Sequence, residues 1–467
     1  MKQTQPQSHS ASAHQTVTEV IKLKTGKKTI TIGTTEQKLS AHAGQTTFWG
    51  FLHRRKFRAV LAAALPHVRT SPNALKATEI ALGFIAGILA GADKLTRIAH
   101  LRGDPLLPEV LEIKRMPSQS TLSRFLAGFD GAASNLRSFR ALWHYAMRRL
   151  PSRRGGYTLD LDSTSLVDED GKQDGVKVGY TRKGLKPCLK PLLAVLEEAK
   201  LVAQFWLRSG NAPCASNVVG FTLELLSNLP RHIGLRLVRA DSGFCEDRWL
   251  SLLEERKLSY IVVAALHHKI TSLLRKETLW RPSAVPGTDV AEVIYRGARW
   301  SRERRLILIR HRMADKTRTG GKMLIECPGY AYQALVTSLP ASVSPIEVWR
   351  DYNGRAGVEN VIKELVHGFG LPKLCCKSFW ATEAVLSLAV LTYNLSVLFA
   401  RHLGWLEKVT IGTLRFRLFS TAGILSHAQG GTHIKLGIPL QNRPWWRAIW
   451  EKLLCEFPNC NAVAQTP

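Results

Sequence analysis

The chain has 467 residues, 45% of them apolar and 22% charged, with a formal charge of +29 and a pI near 10.1. That composition supplies core for about two to four domains and excludes global disorder. The basic excess is larger than ordinary surface composition gives, and it points to a polyanionic partner, nucleic acid before an anionic membrane surface.

Residues 1–45 are polar, rich in Ser, Thr, Gln and His, and read as a poorly ordered segment in which KKTITIGTTE forms a short strand or hairpin. The opening MKQTQPQSHSASAHQ has no apolar core and does not read as a signal peptide. Residues 46–150 read as a helical DNA-binding region. Its longest apolar run, Ile80 to Ala92, has thirteen residues and three glycines, whereas a spanning helix needs about twenty. No membrane association is therefore expected, and the cytoplasm, at the nucleoid, is the expected location. After Met116-Pro117, Ser118 is placed as an N-cap for QSTLSRFLAGF. A short helix presenting Gln119, Ser120, Ser123 and Arg124 suits a DNA groove; a plain bundle helix is the other reading.

From 151 to 265 the character changes. Strand-like runs fall at 157–167, 189–196, 200–208, 235–240 and 259–265, with helical runs at 215–228 and 246–257. This is an α/β pattern: a mixed sheet with helices on its faces. Within YTLDLDSTS, Asp160 and Asp162 alternate with Leu and share one strand face. Asp is depleted in strands, so the pair calls for a reason. The run Asp168-Glu169-Asp170-Gly171 lacks the ligand spacing of a calcium loop and reads as a hairpin turn. In LRLVRADSGF a strand ends at Asp241, the position where α/β sheets place ligands and catalytic groups. Taken alone, Asp241 reads better as a turn or helix cap.

Residues 266–343 are strand-like and strongly basic, a β-rich insertion. Residues 344–377 turn helical, and Tyr352, Arg355 and Glu359 fall at i, i+3 and i+7, on one helical face. The alternative is a solvated face with an Arg355–Glu359 pair of a few tenths of a kcal/mol. Gly354 and Gly357 each cost a helix interior about 1 kcal/mol against Ala, which implies close approach by something large. Residues 378–467 read as a helical C-terminal region, strongest in LSLAVLTYNLSVLFARHL, and as the expected dimer interface. The eight cysteines form no CxxC pair and no zinc spacing, so buried thiols in a reducing compartment are expected.

Asp162, Asp241 and Glu359, on two strands and a helix of so basic a chain, make a coherent set. Carboxylates repel phosphates, and divalent ions remove that conflict while activating a water or 3′-hydroxyl. Two Mg²⁺ or Mn²⁺ ions are expected, with Asp160 as an assisting or supporting group.

The motifs LDLDST (159–164), RADSGF (239–244) and DYNGRAGVENVIKELVHGFG (351–370) resemble those of the DDE transposases of bacterial insertion sequences. The last is similar to the Tyr-x(2)-Arg-x(3)-Glu signature of one subgroup, the thirteen-eighty group being the nearest type. GYTRKG (179–184), LRSGN (207–211) and LTYNL (391–395) fit as well. The resemblance covers roughly residues 75–400. It implies a ribonuclease-H-like core, interrupted by a β-rich insertion and flanked by helical regions. It also implies Asp162, Asp241 and Glu359 as catalytic metal ligands, and double-stranded DNA, both element ends and target, as partner to a homodimer. Tyr352 and Arg355 would contact end phosphates. The family lysine seven residues after the Glu is Val366 here, with Lys363 a candidate substitute. Trp280 and Trp300 are candidates for stacking a flipped base, packed β-domain tryptophans being the other reading. A regulator without catalysis and a stand-alone nuclease of the same fold are the alternative functions.

Overall fold

The computed structural model describes residues 21–65, 71–168, 170–312, 322–324, 327–405, 409–428 and 430–454. Residues 1–20, Glu169, Cys455 and Cys460 lie outside the described residues.

The molecule is mixed α/β and is built on one ten-stranded sheet. From edge to edge its strands are Arg281–Pro282, Thr288–Tyr295, Arg304–Arg312, Cys327–Thr337, Tyr260–Val263, Leu235–Ala240, Tyr157–Ser163, Leu192–Leu196 and Leu201–Trp206, with Lys322–Leu324 beside Cys327–Thr337. Leu235–Ala240 runs parallel to both of its neighbours, Tyr260–Val263 and Tyr157–Ser163. The remaining pairings are antiparallel. Leu192–Leu196 (LLAVL) is buried at every residue, as expected of a strand covered on both faces.

Helices Val218–Asn228 and Asp247–Glu255 flank the sheet. Helix Phe379–His402 closes its last edge through Asn394, whose Oδ1 accepts from the Val202 amide at 2.9 Å and whose Nδ2 donates to the Val202 carbonyl at 2.8 Å. Tyr393 donates to the Lys200 carbonyl at 2.7 Å. The LTYNL motif thus satisfies backbone groups that a bare edge strand would leave open. Among the described residues this helix alone is long and apolar enough to cross a membrane, but 94% of its apolar window is buried within the protein.

The strand or hairpin expected within KKTITIGTTE is present, as Lys28–Ile32 paired with Ile21–Thr25. Other expectations need correction. Lys38–Ser40, within the segment read as poorly ordered, pairs with Gly423–Ala428. The C-terminal region is not wholly helical, since Gly423–Ala428 forms a hairpin with Gly431–Leu436. Lys38–Ser40, with three residues, is too short for period-two alternation to register. The strands of 266–343 do not form a sheet of their own; Cys327–Thr337 pairs with Tyr260–Val263 and makes them continuous with the central sheet. The strands on either side of the acidic run, Leu166–Val167 and Lys177–Thr181, do not pair with each other as a hairpin would; both pair with Gly184–Leu189.

Candidate active site

The site is assembled where two parallel strands end. Asp160 is in register with Arg239, so Asp162 and Asp241, two residues on in each strand, come level at the carboxyl ends. Asp162 is also paired across the sheet with Leu193. Asp241 accepts a hydrogen bond from the Gly243 amide at 2.9 Å, which fixes the turn. A side chain at Gly243 would strike Cys214, with its Cβ only 2.7 Å from the Cys214 Cβ. The glycine is therefore required by close approach of the 209–217 loop.

Glu359 approaches from a helix, but not from the one continuous helix expected. Pro345–Asn353 and Ala356–Lys363 are separate helices joined at Gly354-Arg355. Tyr352 lies on the first, Arg355 caps the second and Glu359 is in its first turn. The two glycines do mark close approach, and the approaching groups belong to the protein itself. A Cβ at Gly354 would lie 2.6 Å from Arg239 Nη1, and one at Gly357 would collide with the Glu197 carboxylate.

Arg355 does not pair with Glu359. It is 8% exposed, and its Nη2 lies 3.1 Å from Asp162 Oδ2 and donates to the Leu161 carbonyl at 2.9 Å. Burial pushes the Asp162 carboxyl above its usual range; Arg355 opposes the shift, while the negative charges of Asp241 and Glu359 add to it. Burial likewise raises the Tyr352 phenol, against Arg355 and with Asp241 and Asp162. Asp162 therefore feels the charges of both Asp241 and Glu359. Glu359 is exposed, and it shares a cleft of about 760 Å³ with Asp241, Tyr352 and Arg355. Asp162 does not line that cleft; its partner Arg355 does.

Asp160 belongs to the scaffold. It is fully buried and takes two hydrogen bonds from Arg239, at 2.6 and 2.8 Å. Glu364 faces away from the cleft and accepts from the Ile411 amide at 2.6 Å. Lys363 is exposed, and Val366 packs partly buried against the main core. Trp300 lines a separate cavity of about 400 Å³ that shares Ser242, Ala264 and Ala265 with the cleft. Its ring meets Tyr295 edge-on at 5.6 Å. Trp280 is a packed residue that donates to the Leu274 carbonyl at 3.1 Å. Arg124 is not brought to the cleft. With Gln119, Ser120 and Ser123 it lies on the exposed side of helix Gln119–Ala127, which Ser118 caps as expected. Gln119 and Ser123 face another groove, also lined by Lys94, Lys373 and Lys377.

Sequence reasoning missed Arg208. It is 6% exposed, donates to Ser163 Oγ at 2.8 Å, and holds the carbonyls of Pro213, Cys214 and Ser216. It therefore ties the residue after Asp162 to the loop behind Asp241. An Arg opening the strand-end turn LRSGN was the available signal.

The donor set is one of carboxylate oxygens, which suits a hard divalent cation. Among the described residues, however, no three such groups stand close enough together to hold an ion. In this arrangement a guanidinium serves as the cation at Asp162.

A family model for transposase DDE domain group 1 matches residues 22–453. The chain belongs to that family. No curated protein matches it. Among solved structures, a piggyBac transposase synaptic complex with hairpin DNA is similar over 89% of this chain and 85% of that one, at 13% identity and a TM-score of 0.41. A likeness that distant carries no argument about the site of this DDE-domain chain.

Proposed function

We propose that this chain is the transposase of an insertion sequence, binding the element's terminal inverted repeats, cleaving the DNA ends and joining them to target DNA. The observation that carries the reading is Asp162 and Asp241 level at the ends of adjacent parallel strands, with Glu359 lining the same cleft as Asp241, in a chain matched by the DDE family over most of its length. The parallel centre with its antiparallel flank supports a ribonuclease-H-like core. The Tyr352, Arg355, Glu359 spacing supports the subgroup with that signature.

Asp162, Asp241 and Glu359, which in this arrangement stand too far apart to share one ion, would hold Mg²⁺ or Mn²⁺ once Arg355 gives up Asp162. Bound there, divalent ions offset the repulsion between carboxylates and phosphate and lower the pKa of an attacking water or hydroxyl. The protein's own groups have separate work. Arg239 holds the Asp160 segment of the strand rigid. Arg208 fixes the loop behind Asp241. Arg355, charged and planar, matches phosphate oxygens once it leaves Asp162. Tyr352 and Lys363 would add contacts to the DNA end, Trp300 would receive a flipped base, and Arg124 with its helix would read end sequence. Pairing two ends requires at least a dimer.

The test is a reaction of purified protein with DNA carrying the element's own ends, a target plasmid and Mg²⁺. Cleaved ends joined to target are expected. Cleavage without joining would indicate a nuclease, and binding without cleavage a regulator.

A further inference from the structure

The segment after Asp162 makes a small three-stranded sheet, separate from the central one, that the catalytic reading leaves unexplained. Lys177–Thr181 and Gly184–Leu189 form a hairpin in which Tyr180 stands opposite Leu185 and Val178 opposite Pro187. These side chains share one face, since alternate residues of a strand point the same way. Tyr180 is 75% exposed, Leu185 73% and Val178 60%. An apolar face so open on a β-ribbon is unusual without a partner.

The opposite face is fixed. A side chain at Gly179 would collide with the Gly210 carbonyl, and one at Gly210 with the Cys188 carbonyl. The Thr181 hydroxyl bonds to the Gly184 carbonyl at 2.7 Å and closes the tip. The glycines of GYTRKG and LRSGN are thus the two halves of one backbone contact that anchors the hairpin.

Its root lies beside the catalytic strand, where Leu189 and Cys188 pair with Leu166 and Val167. Ser165, three residues after Asp162, donates to the Tyr180 carbonyl, next to the tip, at 3.3 Å. The strand after the hairpin pairs with Asp162 and Ser163. Five residues of strand are about 17 Å long, close to five base-pair rises. From Val176 to Lys190 the chain carries Lys177, Arg182, Lys183, Lys186 and Lys190 and no acid. Asp168 and Asp174 stay at the base, their amides bonded to Pro187 and Lys377.

We propose that this hairpin is a DNA-docking ribbon. It lies in the major groove of the duplex beside the cleavage site, with Tyr180 and Leu185 against bases and sugars and Arg182 and Lys183 on phosphates. The major groove admits a two-stranded ribbon, and the charge of the segment complements a polyanion where an exposed apolar face alone would name no partner. The proposal rests on the transposase reading and adds to it a contact surface and its groove.

The test uses the full chain and a duplex carrying the element's own end, without divalent ion, titrated across a salt series. Arg182→Ala with Lys183→Ala should reduce the slope of log affinity against log salt by about 0.9 for each phosphate no longer neutralised. Tyr180→Ala with Leu185→Ala should weaken binding about tenfold at unchanged slope, because it removes apolar surface and no charge. Both pairs of side chains are exposed, so the fold is kept. With 5-iodouracil in place of thymine within half a turn of the cleavage site, irradiation should crosslink Tyr180. Wild-type affinity and slope in both variants, or crosslinks only elsewhere, would overturn the ribbon; cleavage by the same variants would then leave the transposase reading standing. Wild-type binding indifferent to salt would instead sink the transposase reading, and the ribbon with it.

Discussion

Asp160 and Asp162 lie two residues apart on one strand, and each has an arginine partner, yet the two pairs are built differently. Asp160 is fully buried, and both of its oxygens are held by Arg239. Arg239 is itself locked by its bond to the Asp351 carbonyl. Asp162 is partly exposed at 13% of its side chain, and one oxygen meets Arg355 at 3.1 Å. Its other neighbours in charge are Asp241 and Glu359, which repel it. Burial and Glu197 push the Asp160 carboxyl up as well, but both of its oxygens are bonded to Arg239. The second pair leaves negative charge uncompensated, and that excess is what a cation would relieve. A buried pair that is complete holds structure together; an incomplete one at a strand end is poised to bind.

The comparison is tested first where the effects are largest. Asp162→Asn and Asp241→Asn should reduce cleavage and joining to background; the melting temperature should hold or rise in Asp241→Asn, which removes a repulsive charge, and should fall less in Asp162→Asn than in Asp160→Asn, because relief from Asp241 and Glu359 offsets the lost Arg355 ion pair. DNA binding should persist or improve, read by anisotropy. Asp160→Asn should do the opposite. Leaving Arg239 buried and half-paired should cost about 3–5 kcal/mol in chemical denaturation. If Asp160→Asn folds normally, or Asp162→Asn unfolds, the division between the two pairs is wrong.

A smaller effect sharpens the notion of a completed pair. Asp247 is lowered in pKa: burial raises it, but bonds to Arg304 and Ser301 outweigh that. A carboxylate lowered on folding contributes stability above its unfolded pKa and loses it as pH falls through the folded one. Wild-type protein should therefore lose stability below about pH 4, and Asp247→Asn should flatten that acid limb in denaturation at stepped pH. Next in size is recognition. Replacing Gln119, Ser120, Ser123 and Arg124 with Ala should leave folding intact and lower preference for end DNA over random DNA, by about 1–3 kcal/mol for each base these side chains read. Unchanged discrimination would move recognition elsewhere. The smallest effect belongs to Glu364→Gln. Its Oε1 caps Ile411, a bond that Gln can still accept, so stability should change by less than about 0.5 kcal/mol and cleavage not at all.

Much of this was legible in sequence because the site sits on regular elements. A strand of alternating Leu and Asp placed Asp162, and a strand ending in Ala-Asp-Ser-Gly placed Asp241. Helical spacing brought Tyr352, Arg355 and Glu359 together, though it missed the break at Gly354-Arg355. What periodicity could not give was who meets whom across the fold. The Arg355–Asp162 pair joins residues far apart in sequence, and the local i,i+4 rule pointed to Glu359 instead. Gly354 and Gly357 signalled close approach correctly, but only the packed structure identifies Arg239 and Glu197 as the groups that need the space. The strand Lys38–Ser40 was invisible because its partner lies at the other end of the chain.

The central claim is that Asp162, Asp241 and Glu359 act together through a divalent cation. The most direct measurement is strand cleavage of end-containing DNA by Glu359→Gln in Mg²⁺, beside wild type in Mg²⁺ and in excess chelator. Glu359 is exposed, so the substitution spares the fold and removes one charge with little change of shape. The account predicts cleavage by wild type in Mg²⁺ alone, and none by Glu359→Gln or under chelation. Full cleavage by Glu359→Gln, or by wild type in chelator, would contradict it.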